Sequence, residues 1–286
     1  MRQRSKNKKI PLKYRLLPLL FPIAEKVSTA YAKKLAVKMF FTPTKSDLNE
    51  EEVDFIKKAK RLHFYVKAKN VYAYSWGSGQ KKILLVHGWG GKSTQFMSII
   101  LNLVKLGYEV VAFDAPGHGL SDGNDSDILL FEKTIQEINS ILGDFECIIG
   151  HSLGAVASLL AQKNGLKAKK IITISAPSIA EDILYLFRKN INASEAITKH
   201  IEDHIENKYG LPFYHLSGET IAEQLTCKTP ILLIHDKDDK QVPVKHLNVL
   251  KDKLPHAEHF YSEGHGHNHI LENVYVHFKI EKFLHN

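Results

Sequence analysis

The chain has 286 residues, 44% of them hydrophobic, which is enough to bury a full core and excludes a disordered chain. Its two cysteines exclude a disulfide-rich scaffold and predict a reducing compartment, which favours a cytoplasmic location. Most of the net charge of +8 lies in residues 1–15, which hold seven basic side chains and no acidic one, so the nearly neutral remainder argues against a nucleic-acid-binding domain.

The N-terminal segment, residues 1–69, combines this basic tail with a helical pattern. The apolar stretch LLPLLFPIA at residues 16–24 is nine residues long, whereas a membrane-spanning helix needs about 20. The pattern continues as an amphipathic helix through Val27, Tyr31, Leu35 and Met39. We therefore expect peripheral contact with an anionic membrane, at its inner face, through this segment. A cleaved secretory signal and packing of the apolar stretch on the protein body are the open alternatives.

Apolar strand patterns alternate with helical patterns from residue 71 onwards. The predicted strands are at 71–76, 82–87, 108–113, 145–150, 170–175, 230–236 and 257–262, and the predicted helices are at 94–106, 127–142, from 152 onwards, 244–253 and 269–284. This alternation predicts an α/β domain over residues 70–286, with a mostly parallel central sheet covered by helices on both faces. Residues 179–228 interrupt the alternation with three helical patterns, and we expect this insertion to form a small helical cap.

The sequence IIGHSLG at residues 148–154 places Ser152 between a predicted strand and a predicted helix. Gly150 and Gly154 flank it at two residues' distance, where a Cβ atom would crowd the neighbouring strand or helix. This pattern predicts a nucleophile elbow, the sharp turn that exposes a serine hydroxyl. A glycine-rich turn without a catalytic role is the alternative. A serine nucleophile also needs a general base and an acid that orients it, and Asp and His residues follow the last two predicted strands.

Five stretches of the chain, in order, resemble the α/β-hydrolase family across roughly residues 70–285. They are LLVHGWGG (84–91), AFDAPGHGLSDG (112–123), GHSLG (150–154), ILLIHDKDDKQVP (231–243) and GHGHNHIL (264–271). The chain is most similar to bacterial serine esterases with a small helical cap. The resemblance implies hydrolysis of small-molecule carboxylic esters or related acyl bonds through an acyl-enzyme, without a metal or cofactor. A thioesterase, a C–C hydrolase, a peptidase and a non-catalytic binding protein on this scaffold stay open, as does the choice between monomer and dimer.

The resemblance also assigns the catalytic acid. In the family the acid stands four residues before a proline, which here is Pro243 and implies Asp239. Asp236 occupies a position where the family usually has glycine, and Asp238 is one residue short of the expected spacing. Asp236 is the main alternative to Asp239.

For the general base, the family pattern of Gly–His before an apolar helix implies His267. His265 and His269 are the competitors. Three histidines at alternate positions of an extended segment could also share a face and bind a metal, but the neighbouring glycines favour a loop instead. The family further implies an oxyanion hole formed by the backbone N–H groups of Leu153 and Trp89.

Overall fold

The computed structural model describes residues 12–286, with side-chain surroundings from residue 16 onwards. Most of the predicted membrane-contacting tail therefore lies outside the described residues. The helices are α1 (Leu12–Val27), α2 (Thr29–Phe41), α3 (Glu50–Lys57), α4 (Met97–Lys105), α5 (Ile128–Leu142), α6 (Leu153–Lys163), α7 (Ala180–Ile191), α8 (Glu195–Tyr209), α9 (Gly218–Glu223), α10 (Lys245–Lys253), α11 (Gly266–His269) and α12 (Val274–His285). The strands are β1 (Lys60–Val66), β2 (Lys69–Trp76), β3 (Lys82–Val86), β4 (Glu109–Phe113), β5 (Cys147–His151), β6 (Ile171–Ile174), β7 (Ile231–Asp236) and β8 (Glu258–Ser262).

The eight strands form one sheet in the order β1-β2-β4-β3-β5-β6-β7-β8. Strand β2 pairs antiparallel with both β1 and β4, and every other pairing is parallel. The central strands are fully buried on both faces, which explains their continuous apolar sequences. The predicted α/β fold with a mostly parallel sheet is confirmed. Because β5, β7 and β8 are parallel, the loops after them leave the same edge of the sheet.

The sheet begins earlier than the predicted start at residue 70. Strand β1 (Lys60–Val66) carries exposed basic residues at its first two positions and buries only Phe64 and Val66, so its sequence lacks the apolar run of a central strand. It is an antiparallel edge strand, for which a half-polar sequence is typical. Helix α3 before it begins at a capping box, in which the Asn49 side chain accepts from the Glu52 N–H and Glu52 accepts from the Asn49 N–H.

Two apolar clusters cover the two faces of the sheet. One cluster joins the sheet to α5, α6, α9 and α10, and the other joins it to α3, α4 and α12. Cys147 lies inside the second cluster, and its burial raises the pKa of the thiol well above the usual range. Cys147 is therefore a buried side chain of the core rather than a reactive thiol.

The chain divides into two compact units. The larger comprises Phe41–Ala180 and Tyr214–Asn286 and contains the whole sheet. The smaller comprises the residues up to Phe40 together with Glu181–Phe213. The predicted insertion, residues 179–228, extends beyond the segment Glu181–Phe213 that belongs to the smaller unit. Ile221 and Ala222 of α9 lie in the core of the larger unit.

In the smaller unit, the N-terminal helices pack against the helices of the insertion. The Asn192 amide donates to the Pro18 carbonyl over 3.2 Å, and the Ser194 N–H and hydroxyl both donate to the Glu25 carboxylate. Phe40 makes edge-on contacts with two rings from the insertion, Phe187 and Phe213.

The helical pattern predicted across residues 16–39 is present as α1 and α2, and its apolar residues Val27 and Tyr31 are exposed while other residues of these helices are buried. Val27 and Tyr31 are 81% and 60% exposed, whereas Phe21, Ala32 and Ala36 are at most 1% exposed. The small alanine side chains permit a close approach between helices, which hydrophobicity alone does not reveal. Within residues 12–286, every helix is too short or too polar to cross a bilayer.

Candidate active site

Ser152 lies at the turn between strand β5 and helix α6. Its backbone has φ +53° and ψ −124°, a strained conformation for a residue with a side chain, and its N–H donates to the Ile174 carbonyl of β6. A Cβ atom on Gly150 would lie 2.4 Å from Ala155 Cα, and one on Gly154 would lie 2.2 Å from the Val86 carbonyl oxygen. Only glycine fits at these two positions, so the turn depends on both.

His267 and Asp239 meet Ser152 from the loops after β8 and β7. His267 Nε2 is 3.0 Å from Ser152 Oγ, and His267 Nδ1 is 2.7 Å from Asp239 Oδ2. The imidazole is 8% exposed and the carboxylate is fully buried. The three side chains thus form a continuous hydrogen-bonded chain. In it, Nδ1 donates to the carboxylate and Nε2 can accept the hydroxyl proton.

Asp239 is held as a carboxylate by its surroundings. Burial acts to raise its pKa, but the hydrogen bond to His267 and the electrostatic interaction with that ring, together with the N–H groups of Val242 and Gln241, outweigh burial, so its pKa lies below its usual range. Both N–H groups donate to Oδ1 over 2.9 Å, while Oδ2 faces His267. One oxygen therefore fixes the side chain and the other is directed at the imidazole.

Asp236, the main alternative acid, lies at the end of β7 and does not contact the His267 ring. Its carboxylate accepts the Ser262 hydroxyl over 2.7 Å and the backbone N–H groups of His265 and Gly266 over 3.2 and 3.0 Å. Although burial acts to raise its pKa, these donors keep the pKa below its usual range. Asp236 thus anchors the backbone that leads into His267.

The other two histidines of this loop point away from the serine. His265 Nδ1 contacts the Glu263 carbonyl over 2.7 Å, and His269 lies 3.6 Å from the Glu272 carboxylate on the surface. Residues 266–269 form the short helix α11 rather than an extended segment, so side chains two positions apart do not share a face. Across the described range 12–286, no group of three or more His, Cys, Asp and Glu side chains is arranged to hold a metal ion.

His151, inside the GHSLG sequence, is a site residue that sequence reasoning missed. Its Nε2 is 2.8 Å from the His267 carbonyl oxygen, and its Nδ1 is 3.2 Å from the Gln95 amide nitrogen. Because a carbonyl only accepts, Nε2 carries the proton and Nδ1 accepts from Gln95. Burial lowers the pKa of His151 to about 3, so this imidazole stays neutral. Its position in the motif tolerates many residue types, so no sequence signal indicated the role.

The predicted oxyanion-hole donors lie on either side of the serine. Leu153 is the first residue of α6, where N–H groups have no partner within the helix. Trp89 follows Gly88, at which a Cβ atom would lie 2.8 Å from Ser152 Cβ. Neither N–H has an acceptor within residues 12–286. Both N–H groups are thus free to bind an acceptor from a ligand.

Buried side chains fix the loop that carries Trp89. The Lys92 ammonium pairs with Glu52 over 2.8 Å and donates to the Asp47 carbonyl, and His87 Nε2 accepts the Ala115 N–H. The Trp89 indole is 39% exposed and contacts the His118 ring edge-on. His118 lies beneath the indole and is only 1% exposed. This burial agrees with a structural role for the turn APGHG that contains it.

Comparison with known proteins agrees with this architecture. A sequence profile described as serine aminopeptidase, S33, matches residues 77–205. Two solved structures superpose on the chain at 17% identity. A bacterial membrane phospholipase A has a TM-score of 0.64 over 96% of this chain and 98% of its own. An esterase from Pyrococcus furiosus has a TM-score of 0.65 over 85% and 96%. The chain has the α/β-hydrolase fold and is similar in sequence to hydrolases of that fold.

Among curated relatives, a pimeloyl-[acyl-carrier protein] methyl ester esterase of Hamiltonella defensa is 28% identical over 154 residues, which cover 49% of this chain and 53% of the relative. The chain spans about half the length, or less, of the curated relatives that it matches. The comparisons thus agree on the fold, and the activity of this chain is a separate proposal.

Proposed function

We propose that this α/β-hydrolase cleaves small-molecule carboxylic esters, or related acyl bonds, with Ser152 as nucleophile, His267 as general base and Asp239 as the acid that orients it. The observation that carries the proposal is the contact of 3.0 Å between His267 Nε2 and Ser152 Oγ, continued by that of 2.7 Å between Nδ1 and Asp239. A buried serine–imidazole–carboxylate chain of this kind activates a hydroxyl that is otherwise a poor nucleophile.

In the acylation half-reaction, Ser152 Oγ attacks the ester carbonyl carbon while its proton passes to His267 Nε2. The carbonyl oxygen becomes an oxyanion that accepts hydrogen bonds from the N–H groups of Trp89 and Leu153. The C–O bond to the leaving group then breaks, and the imidazolium returns its proton to the departing alkoxide. Asp239 stays ionised throughout and stabilises the imidazolium, in keeping with its lowered pKa.

In the deacylation half-reaction, water takes the place of the alcohol. His267 removes a proton from this water, whose oxygen attacks the acyl carbon, and the same two N–H groups bind the second oxyanion. Collapse of the intermediate breaks the bond to Ser152 Oγ and returns the proton to the serine. The products are a carboxylic acid and a free enzyme, with no metal or cofactor required.

The comparisons suggest two classes of substrate for the proposed site. The relative named as a methyl ester esterase favours an oxygen ester, whereas the profile described as serine aminopeptidase favours an amide of a terminal amino acid. The residues around Ser152 serve both bonds, because both reactions pass through an oxyanion. The expectation that residues 179–228 cap the site and limit acyl length stays a prediction, as does a cytoplasmic location.

A substrate panel tests the proposal. Nitrophenyl esters of graded acyl length, acyl thioesters and aminoacyl nitroanilides should be compared with wild-type enzyme, Ser152→Ala and the surface control Ser140→Ala. We expect the esters to be hydrolysed fastest and Ser152→Ala to lose at least about 10³-fold in kcat, while Ser140→Ala keeps the wild-type rate. Ester hydrolysis by Ser152→Ala at the wild-type rate would overturn the assignment of Ser152 as nucleophile. Faster cleavage of the nitroanilides than of the esters would identify the substrate as an amide.

A further inference from the structure

Helix α1 presents a stripe of large aliphatic side chains to solvent. The stripe consists of Leu16, Leu19, Leu20, Ile23 and Val27, which are 39%, 66%, 56%, 58% and 81% exposed. Their spacing of three and four residues places all five along one side of the helix. Contiguous exposed aliphatic surface of this kind is unfavourable in water and marks a contact surface.

The opposite side of α1 is already occupied within its own unit. Phe21 is 1% exposed, the Pro18 carbonyl accepts from Asn192, and Glu25 accepts from Ser194. The stripe is therefore not the face by which α1 packs against the helices of its own unit. The helix has one face for its neighbours and a second, apolar face directed outward.

Charge around the stripe indicates what the outward face binds. Residues 1–15 carry seven basic side chains and no acidic one, and Lys26 is exposed within α1 itself. The acidic side chain of α1, Glu25, is engaged by Ser194 on the other side of the helix. A basic segment joined to an apolar stripe complements a surface that has anionic groups outside and hydrocarbon beneath.

Self-association fits the same features less well. In a two-fold dimer formed through the stripe, the same patch of each copy would meet, and the two strongly basic segments would come together. The repulsion between them would oppose the contact, whereas phosphate headgroups would be attracted to both copies.

We propose that α1 is an interfacial helix, which lies in the plane of an anionic lipid surface with its stripe inserted at the boundary between headgroups and acyl chains. The basic segment binds the headgroups beside it. Electrostatic attraction contributes the first, salt-sensitive part of the binding, and burial of the stripe contributes the rest. This docking surface is independent of the hydrolase chemistry proposed for Ser152.

Sedimentation of the full chain with lipid vesicles tests the proposal. We expect binding to vesicles of phosphatidylglycerol and phosphatidylcholine, little binding to phosphatidylcholine alone, and weaker binding at high salt. Leu19→Gln/Ile23→Gln should reduce partitioning at least about tenfold, because it removes two inserted aliphatic groups. The matched control is Tyr275→Gln/Phe278→Gln on α12, whose two side chains are 71% and 65% exposed; it should bind like the wild type.

A spectroscopic reporter covers the case in which the double variant folds poorly. Leu20→Trp should shift its tryptophan emission to the blue with anionic vesicles and not with neutral ones. The proposal is overturned if the wild type stays in the supernatant at low salt, if the stripe variant binds as well as the wild type, or if both double variants lose binding equally. A wild-type dimer that the stripe variant dissociates would also overturn it, in favour of a second copy as the occupant.

Discussion

The loops after β7 and β8 and the helix α1 depart from the usual distribution of side chains in opposite ways. The loops bury the carboxylates of Asp236 and Asp239 completely, while α1 exposes Leu19 and Ile23 to more than half of their possible extent. Soluble proteins normally expose carboxylates and bury leucines, so each departure requires a compensating interaction.

The compensation differs between the two regions. In the loops, every carboxylate is surrounded by N–H and O–H donors from the chain itself, which compensates the loss of hydration and holds the groups rigidly. On α1, the aliphatic stripe has no such compensation among residues 16–286, and the lipid surface proposed above would supply it. Buried polar groups therefore mark where chemistry takes place, and exposed apolar groups mark where the protein associates.

The largest expected effect comes from removing the charged groups next to Ser152. Asp239→Asn and His267→Ala should each lower kcat by about 10³-fold to 10⁴-fold, because the imidazole loses its orientation or is absent. Steady-state ester hydrolysis measures this. The matched controls Asp238→Asn and His265→Ala lie in the same loops and should stay within a few-fold of the wild type. If Asp238→Asn and His265→Ala were inactive while Asp239→Asn and His267→Ala kept their activity, the acid and the base would be assigned to the wrong residues.

Asp236→Asn should have the next largest effect. An amide keeps only one acceptor oxygen, so its NH2 group would face either the His265 N–H, which binds Oδ2, or the Gly266 N–H, which binds Oδ1, and the loop carrying His267 would lose part of its anchor. We expect the free energy of unfolding to fall by about 2–4 kcal/mol, because buried hydrogen bonds to a charged group are lost. We also expect kcat to fall by about tenfold to a hundredfold, because the His267 imidazole would be displaced from Ser152. Urea denaturation and kinetics of the same sample measure both. An unchanged kcat would show that the loop position does not depend on Asp236.

His151 should act as a positioning residue through the His267 carbonyl. His151→Leu removes the donor, and we expect kcat to fall about tenfold with little change in KM. His151→Gln carries an amide that can donate to the same carbonyl and should recover a large part of the loss. A purely structural role would lower thermal stability in both variants without the difference in kcat between them.

Buried histidines should make the protein sensitive to mild acid. Burial lowers the pKa of His87 to about 4 and those of His118 and His151 to about 3, from 6.5. Between these values and pH 6.5 the unfolded chain binds protons that the folded chain does not, so stability falls as pH decreases from 6.5. Each histidine contributes a slope of about 1.4 kcal/mol per pH unit.

Replacing one of these histidines measures its share. His87, His118 and His151 together produce a slope in the plot of unfolding free energy against pH. His118→Phe should remove about a third of that slope. Urea denaturation at pH 7.5, 6.5 and 5.5 gives the slope. The control His256→Phe changes an exposed histidine and should leave it unchanged. An unaltered slope in His118→Phe would mean that this imidazole is protonated in the folded state.

The sheet and its helices could be predicted because the central strands are buried on both faces and therefore carry unbroken apolar sequences. Strand β1 could not, since an edge strand that begins with Lys60 and Arg61 looks polar. The candidate site could be predicted where a motif has a fixed spacing, such as the spacing of four residues from Asp239 to Pro243. It could also be predicted where only glycine fits, as at Gly150 and Gly154. The sequence left Asp236 open as an alternative, and only its contacts show that it binds the backbone of His265 and Gly266.

Some long-range contacts outside the catalytic motifs left no trace in the sequence. The pairing of His151 with the His267 carbonyl joins residues 116 positions apart, and the bond from Asn192 to the Pro18 carbonyl joins residues 174 apart. No local pattern encodes such pairs. The apolar stretch of α1 could be seen in the sequence. Its division into a packed face and an exposed stripe could not, because that division depends on contacts with distant residues such as Asn192.

Covalent trapping of the nucleophile tests the central claim most directly. Wild-type enzyme, Ser152→Ala and His267→Ala should be treated with a fluorophosphonate, weighed as intact proteins and then mapped by peptide mass spectrometry. The account predicts one adduct per wild-type chain, located on Ser152, none in Ser152→Ala and much slower labelling in His267→Ala. An adduct on another residue, or ester hydrolysis without any adduct on Ser152, would contradict it.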